Sequence, residues 1–226
     1  GRGESIYDTA NVLSRFLDGI MIRTYKHSDV TELAENAAIP VINGLTDLLH
    51  PCQVLADLLT ISEYKGDLKG KKLCYVGDGN NMAHSLLYGC TKVGMDISIA
   101  TPDKYKCDET VMNNALKIAA ETGSKVEFTN NPKQAMENAD AVYTDTWVSM
   151  GMEAEKQQRI KDFAGFEVNR ELMDIAKPDA MFLHCLPAYR GYEVSADVID
   201  GKQSAIFDEA ENRLHAQKAV MATLMK

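Results

Sequence analysis

The stretch "LLHPCQVLADLL" places His50 and Gln53 on either side of Pro51 and Cys52. Pro51 suits the first position of a helix, where a missing N–H costs nothing. His50 and Gln53 then stand at a helix start, whose free N–H groups and positive dipole end favour an anion. An imidazole and a carboxamide there can donate hydrogen bonds to a carbonyl or phosphoryl oxygen. On residues alone, His50 serves equally as a simple helix cap. Arg23 ends the strand-like run Gly19–Ile22, and Arg213 lies in "DEAENRLHAQKA" near the start of the last helix. Two guanidinium groups brought to one helix N-terminus would clamp a phosphate. Taken singly, each reads as a solvated surface charge.

Three further stretches suit an amino acid. In "KKLCYVGDGNNMAHSLL" the Gly77-Asp78-Gly79 turn imitates a dinucleotide loop, but Met82 stands where that fingerprint needs its third glycine. Asn80 and Asn81 carry both donors and acceptors and can read a carboxylate and an ammonium together; a turn with a helix cap is the plainer alternative. In "AVYTDTWVSMGMEAE", Asp145 follows a strand and precedes Ser149-Met150-Gly151. Its carboxylate can hold an ammonium or merely cap, and Gly151 lets the loop move. In "MFLHCLPAYRGYEV", His184 and Cys185 are adjacent on a strand and so face opposite sides. That argues against a His-activated thiol nucleophile. Cys185 reads as a thiol lining a pocket, or as a small buried hydrophobe.

Alternating elements must position these groups. Strand-like runs lie at Gly19–Arg23, Pro40–Asn43, Lys72–Val76, Asp96–Ala100, Lys125–Phe128, Ala141–Thr144 and Ala180–His184. Helices are expected over Glu4–Phe16, from a Ser28-Asp29 cap with Glu32 to Asn36, over His50–Tyr64, and from near Asn80, Asp108, Pro132, Glu153 and Asn169. A last helix is expected over Glu209–Met225. Strand–helix alternation implies an α/β fold with a doubly wound parallel sheet. Ligands in such sheets bind beyond the carboxyl ends of the strands, where the candidate residues fall. The polar "YKGDLKGKK" suggests a boundary, dividing the chain into 1–64, 65–206 and a final helix over 207–226.

The net charge of −9 argues against nucleic acid as a main partner. No apolar stretch approaches the roughly 20 residues that span a bilayer. Five widely spaced cysteines without a C-x-x-C pair fit reduced thiols in a cytosol-like compartment.

The stretches "GESIYDTANVLSRFLDGIMIR", "HPCQVLADLLT", "VGDGNNMAHSL", "DTWVSMG", "HCLPA" and "ENRLHAQKA" run through essentially the whole chain. Together they resemble the aspartate/ornithine carbamoyltransferase family, on its ornithine-using side. The resemblance implies a Rossmann-like ornithine domain, a partial α/β carbamoyl phosphate domain, and a final helix that crosses back to the latter. It implies that Arg23, His50, Pro51, Cys52 and Gln53, completed by Cys185, Leu186 and Arg213, hold carbamoyl phosphate. Asn81, Asp145, Ser149 and Met150 would hold L-ornithine. Direct transfer to the δ-amine, a loop Ser149–Gly151 closing over ornithine, a cytoplasmic homotrimer, and no metal or organic cofactor are implied with it. The family carries a Ser-Thr-Arg-Thr-Arg phosphate loop upstream of the region matching Gly1. The expectation is therefore a fragment of a longer enzyme or a chain that kept only the ornithine side, with weakened carbamoyl phosphate binding and a loosely packed segment over roughly Gly1–Ser62. A catalytically silent binding or assembly module, a transferase for a related amine such as putrescine or an acylated ornithine, and a nicotinamide-dependent dehydrogenase are the alternatives.

Overall fold

The computed structural model describes residues 3–149 and 151–225. Five parallel strands form the main sheet: β3 (Lys72–Val76), β4 (Asp96–Ala100), β5 (Val126–Thr129), β6 (Ala141–Tyr143) and β7 (Met181–Leu183), in the order β5-β4-β3-β6-β7. The chain winds outward from β3 through β4 and β5, then returns to add β6 and β7 on the other side. The point of reversal lies between β3 and β6. The carboxyl ends of the strands flank a crevice there, because their following loops diverge.

The near-continuous apolar composition of β3 follows from covering both faces. Leu73 and Tyr75 point into a core shared with Ile61, Leu86, Leu87, Ile97 and Ile99. Cys74 and Val76 point the other way, towards Val142, Phe163, Val168 and Phe182. The first core is closed by α3 (Pro51–Lys65), α4 (Asn81–Lys92) and α5 (Glu109–Thr122). Asn80 starts α4 by accepting the Met82 N–H at 2.9 Å, and Asp108 starts α5 by accepting the Val111 N–H at 3.0 Å. The second core is closed partly by the short helices α6 (Pro132–Met136), α7 (Lys156–Asp162), α8 (Arg170–Met173) and α9 (Ala196–Ile199).

A smaller layer precedes this sheet. Strands β1 (Ile20–Arg23) and β2 (Val41–Leu45) pair in parallel beside α1 (Ile6–Leu13) and α2 (His27–Asn36). Its buried cluster is Ala10, Ile20 and Leu33, while Phe16, Met21 and Tyr25 are exposed. The final helix α10 (Ile206–Leu224) lies along α3, where Asn212 Nδ2 donates to Thr60 Oγ1 at 3.0 Å and to Glu63 Oε2 at 2.7 Å.

Several helix limits differ from expectation, three of them for evident local reasons. The Ser14 hydroxyl bonds Ala10 O and accepts the Ala38 N–H, which ends α1 early. Helix α2 starts at His27, because Asp47 Oδ1 accepts the His27 N–H at 2.9 Å, so Ser28 is already helical. Helix α10 starts at Ile206 because that residue is buried against the sheet, and Glu209 is a buried member of its first turn.

Gly79 explains the Gly-x-Gly turn. A Cβ there would sit 2.3 Å from the Cys107 backbone nitrogen and 2.4 Å from the Lys106 carbonyl carbon. Glycine lets the β3–α4 turn press onto the segment before α5, so it serves chain packing. The substitution Gly79→Ala should destabilise the fold by about 1–3 kcal/mol, since the obstruction is backbone. Chemical denaturation with the linear extrapolation checks this, and an unchanged midpoint would contradict it.

Candidate active site

A cavity of about 780 Å³ lies where the carboxyl ends of β1 and β2 face those of β3, β6 and β7. Arg23, His50, Asn81, Asp145, Ser149, Cys185, Leu186 and Arg213 all line it. Residues drawn from both ends of the sequence thus meet in one chamber. Pro51, Cys52 and Gln53 stand behind its wall, and Met150 lies outside the described residues.

One side of the cavity is cationic. Arg23 ends β1 and is exposed, with no ion-pair partner among the described residues. Arg213 projects from the second turn of α10 and donates from Nη1 to Gln53 Oε1 at 2.6 Å. With the Gln217 amide turned so that its oxygen faces the guanidinium, that oxygen accepts from Nη2 at 2.7 Å and Nε at 2.8 Å. Neutral amide oxygens therefore hold Arg213, and its charge stays available to an anion.

His50 precedes α3 but does not cap it with its side chain. Its own N–H donates to Ser85 Oγ at 2.7 Å. Burial, then the nearby charges of Arg213 and Arg23, push the imidazole pKa down to about 3. At neutral pH the ring is uncharged, with a buried Nδ1 that has no partner among the described residues. Behind it, Pro51 occupies the first position of α3, and the buried Cys52 donates from Sγ to Asn43 O at 3.3 Å. Burial pushes the Cys52 thiol up, which keeps it protonated.

The opposite side offers acceptors. Asp145 leaves the end of β6 and is 6% exposed. Its Oδ2 accepts from Asn80 Nδ2 at 2.7 Å, and its Oδ1 accepts from the Thr146 N–H at 2.8 Å and from Cys185 Sγ at 3.2 Å. Burial and then the Asp145 charge hold the Cys185 thiol well above its ordinary range. A protonated thiol lining a pocket, not a thiolate nucleophile, is what this arrangement provides. His184 is fully buried on the other side of the strand end, accepting the Leu186 N–H at Nδ1 (2.9 Å) with Nε2 3.4 Å from Glu193. Its bond shapes the turn in which Leu186 adopts φ 55° before a cis Pro187. Asn81, the first residue of α4, donates to Thr46 O at 2.7 Å and so ties the two sheets across the cavity.

Asp145, His184 and Cys185 each bring one ligand atom within 4.8 Å of the others, close enough for a metal ion. The set is already internally committed, with the thiol donating to Asp145 and His184 Nδ1 taken by Leu186.

Two features escape a reading of the sequence. Arg159 on α7 is buried and donates to Asp78 Oδ2 at 2.7 Å, Trp147 O at 3.0 Å and Glu155 Oε2 at 2.9 Å, with its guanidinium 4.7 Å above the Tyr105 ring. It pins both ends of the segment that carries Ser149 and Gly151 to the β3–α4 turn. Burial lifts the Asp78 carboxyl to about 6 even against the pull of Arg159. The second feature is a polar cluster between α3 and α10 built from Gln53, Asp57, Tyr143 and Glu209. Its only signal in the sequence is a pair of i,i+4 spacings, Gln53/Asp57 and Glu209/Arg213.

Comparison with known proteins gives the same direction. Residues 69–224 match the Asp/Orn binding domain, and residues 1–63 the carbamoyl-P binding domain, of aspartate/ornithine carbamoyltransferase. The chain is 61% identical over 221 residues to an ornithine carbamoyltransferase of Caldicellulosiruptor saccharolyticus, covering 98% of this chain and 72% of the relative. It is 60% identical over 225 residues to an ornithine carbamoyltransferase of Oceanobacillus iheyensis, covering 100% and 70%. The solved ornithine carbamoyltransferase from Pyrococcus furiosus superposes with a TM-score of 0.96 at 57% identity, over 99% of this chain and 72% of that one. On this sequence identity and this fold, the chain belongs to the aspartate/ornithine carbamoyltransferase family of enzymes.

Proposed function

We propose that the protein transfers the carbamoyl group of carbamoyl phosphate to the δ-amine of L-ornithine, giving L-citrulline and phosphate, in arginine metabolism. The observation that carries this is the division of one cavity into a cationic side, Arg23 and Arg213 with a neutral His50, and an acceptor side centred on Asp145. An anionic acyl donor and a cationic amino acid fit opposite sides of that chamber, with their reacting atoms between.

Arg23 and Arg213 hold the phosphate oxygens and stabilise the charge that gathers on them as phosphate leaves. A neutral imidazole at His50 donates to the carbamoyl oxygen without bringing a second proton. Gln53 acts from behind, since its amide oxygen holds Arg213. Asp145 and Asn81 take the ammonium and carboxylate of ornithine. The Cys185 thiol and the Leu186 turn complete the wall where the δ-amine approaches. Ser149 and Met150 close over the substrate as Gly151, at φ 86°, turns the loop. The attacking amine must be neutral, so the rate rises with pH towards its bound pKa. Much of the acceleration comes from holding two substrates in line. A homotrimer with sites at subunit boundaries and a cytoplasmic setting belong to the same proposal. Among the described residues, no helix is long and apolar enough to cross a membrane.

Citrulline formation from carbamoyl phosphate and ornithine tests the reaction; a folded protein that binds both substrates calorimetrically but forms no citrulline would overturn it. Removing one side of the cavity should act on one substrate. Asp145→Asn is expected to raise the ornithine KM roughly 10- to 100-fold, the worth of a charged hydrogen bond, with the carbamoyl phosphate KM within about threefold of the parent's. Arg213→Gln should do the reverse, and equal effects on both constants in either variant would contradict the division. The imidazole signals of His50 in NMR should not titrate between about pH 5 and 8. A midpoint near 6.5 would show a solvated ring and remove its role as a neutral donor.

A further inference from the structure

The cluster between α3 and α10 holds two carboxyl groups where one charge is easier to accommodate than two. Asp57 and Glu209 are both fully buried, at 0% exposure. A single donor, Gln53 Nε2, bridges them, 2.8 Å from Asp57 Oδ1 and 3.0 Å from Glu209 Oε1. Beyond that bridge the two are unequal. Glu209 also accepts the Tyr143 hydroxyl at 3.0 Å on Oε1 and the His184 backbone N–H at 2.8 Å on Oε2. Among the described residues, Asp57 Oδ2 has no partner unless it carries a proton, in which case it becomes a donor that Glu209 is placed to accept.

We propose that Asp57 and Glu209 share a single proton, resident on Asp57 Oδ2 and donated to an ionised Glu209, and that this pair fixes the orientation of the Gln53 amide. A carboxylate that accepts three donors keeps its charge, whereas its neighbour keeps the proton. The pair then presents only acceptors to Gln53 Nε2, so the amide oxygen must face Arg213, as observed at 2.6 Å. Asp57 and Glu209 are positioning residues here. They set Arg213 through Gln53 without touching substrate, and this consequence rests on the reading of Arg213 as a phosphate ligand.

The surroundings agree with one charge. Burial first, then the Glu209 charge, hold the Asp57 carboxyl well above its ordinary range, while burial also raises Glu209 but against the lowering pull of its bonds to Asp57, the His184 N–H and Tyr143. The titratable and charged groups around the pair are Arg213 on α10, Tyr143 on β6, His184 and Cys185 after β7, and Cys90 on α4. Among these, Arg213 is the permanent cation, and it is already directed to the amide oxygens.

The folded protein holds the Asp57 proton above the pH at which the unfolded chain releases it, near 4. Stability attached to this group therefore falls as pH rises from about 4 until the pair ionises. An asparagine introduced by Asp57→Asn would mimic the protonated acid, with an oxygen for Gln53 and an N–H for Glu209, but it cannot ionise. The experiment follows thermal unfolding of the whole chain and of Asp57→Asn and Glu209→Gln between about pH 4.5 and 9. The difference in Tm between Asp57→Asn and the parent should grow in favour of the variant by about 3–5 °C per pH unit over the window in which only the unfolded chain is ionised. A difference that does not change with pH overturns the shared proton. The growth appearing in Glu209→Gln instead overturns its assignment to Asp57. Calorimetric titration with carbamoyl phosphate then tests the link to Arg213. Asp57→Asn should bind at least roughly tenfold more tightly than Glu209→Gln, and equal affinities overturn the link. A parent protein that fails to bind carbamoyl phosphate counts against the reading of the cavity, while the unfolding comparison, which uses no substrate, still decides the proton.

Discussion

The docking of α10 onto α3 is the constraint on which the rest of the site depends. Helix α10 follows the main sheet in the chain, yet it lies along the helix that precedes it. Its contact is polar where polarity is costly. Gln53, Asp57, Tyr143, Glu209 and Asn212 are buried together, and their hydrogen bonds join α3, β6, the turn after β7 and α10. Leaving any one of them unpaired would cost more than the bond contributes. The network therefore admits one seating of α10. That seating carries Arg213 to the His50 end of α3, and with it the positive side of the cavity.

The acceptor side is set by a different device. The reversal of strand order between β3 and β6 opens a crevice. Three adjacent strand ends then deliver Asn80 and Asn81, Asp145, and Cys185 and Leu186 to it. Hydrogen bonds among these residues do the final alignment. Asn80 caps α4 with its oxygen and orients Asp145 with its nitrogen, while the Cys185 thiol occupies the other carboxylate oxygen. Arg159 ties the segment that carries Ser149 to the same turn through Asp78. Asn81, Asp145 and Cys185 are thus each held by a hydrogen bond to a neighbouring segment.

Much of this is legible in the sequence because local signals and tertiary roles agree. The runs Lys72–Val76 and Asp96–Ala100 are strands with those same limits, since both are buried on two faces and are largely apolar after their first residue. The cavity residues fall at strand ends and helix starts, where a doubly wound sheet must place its ligands. What stays hidden is long-range. Nothing local reveals that Arg159 pairs with Asp78, 81 positions away, or that Glu209 turns inward to meet Gln53, 156 positions away. Acidic residues in a first helical turn normally face water, which is why the sequence suggests an α10 that begins at Glu209 rather than one that buries it. Gln53 illustrates the same limit: its place at a helix start suggests a ligand, but its partners from α10 draw it behind the wall.

A crystal structure with a conjugate that joins a phosphonate to the δ-nitrogen of ornithine through a carbonyl-containing bridge would decide whether the two sides of the cavity hold the two substrates. The expected structure has the phosphonate against Arg23 and Arg213, the bridging carbonyl oxygen at His50, and the amino-acid end at Asp145 and Asn81. The conjugate bound outside this cavity, or seated in it with its amino-acid end against the two arginines, would rule out this division of the cavity.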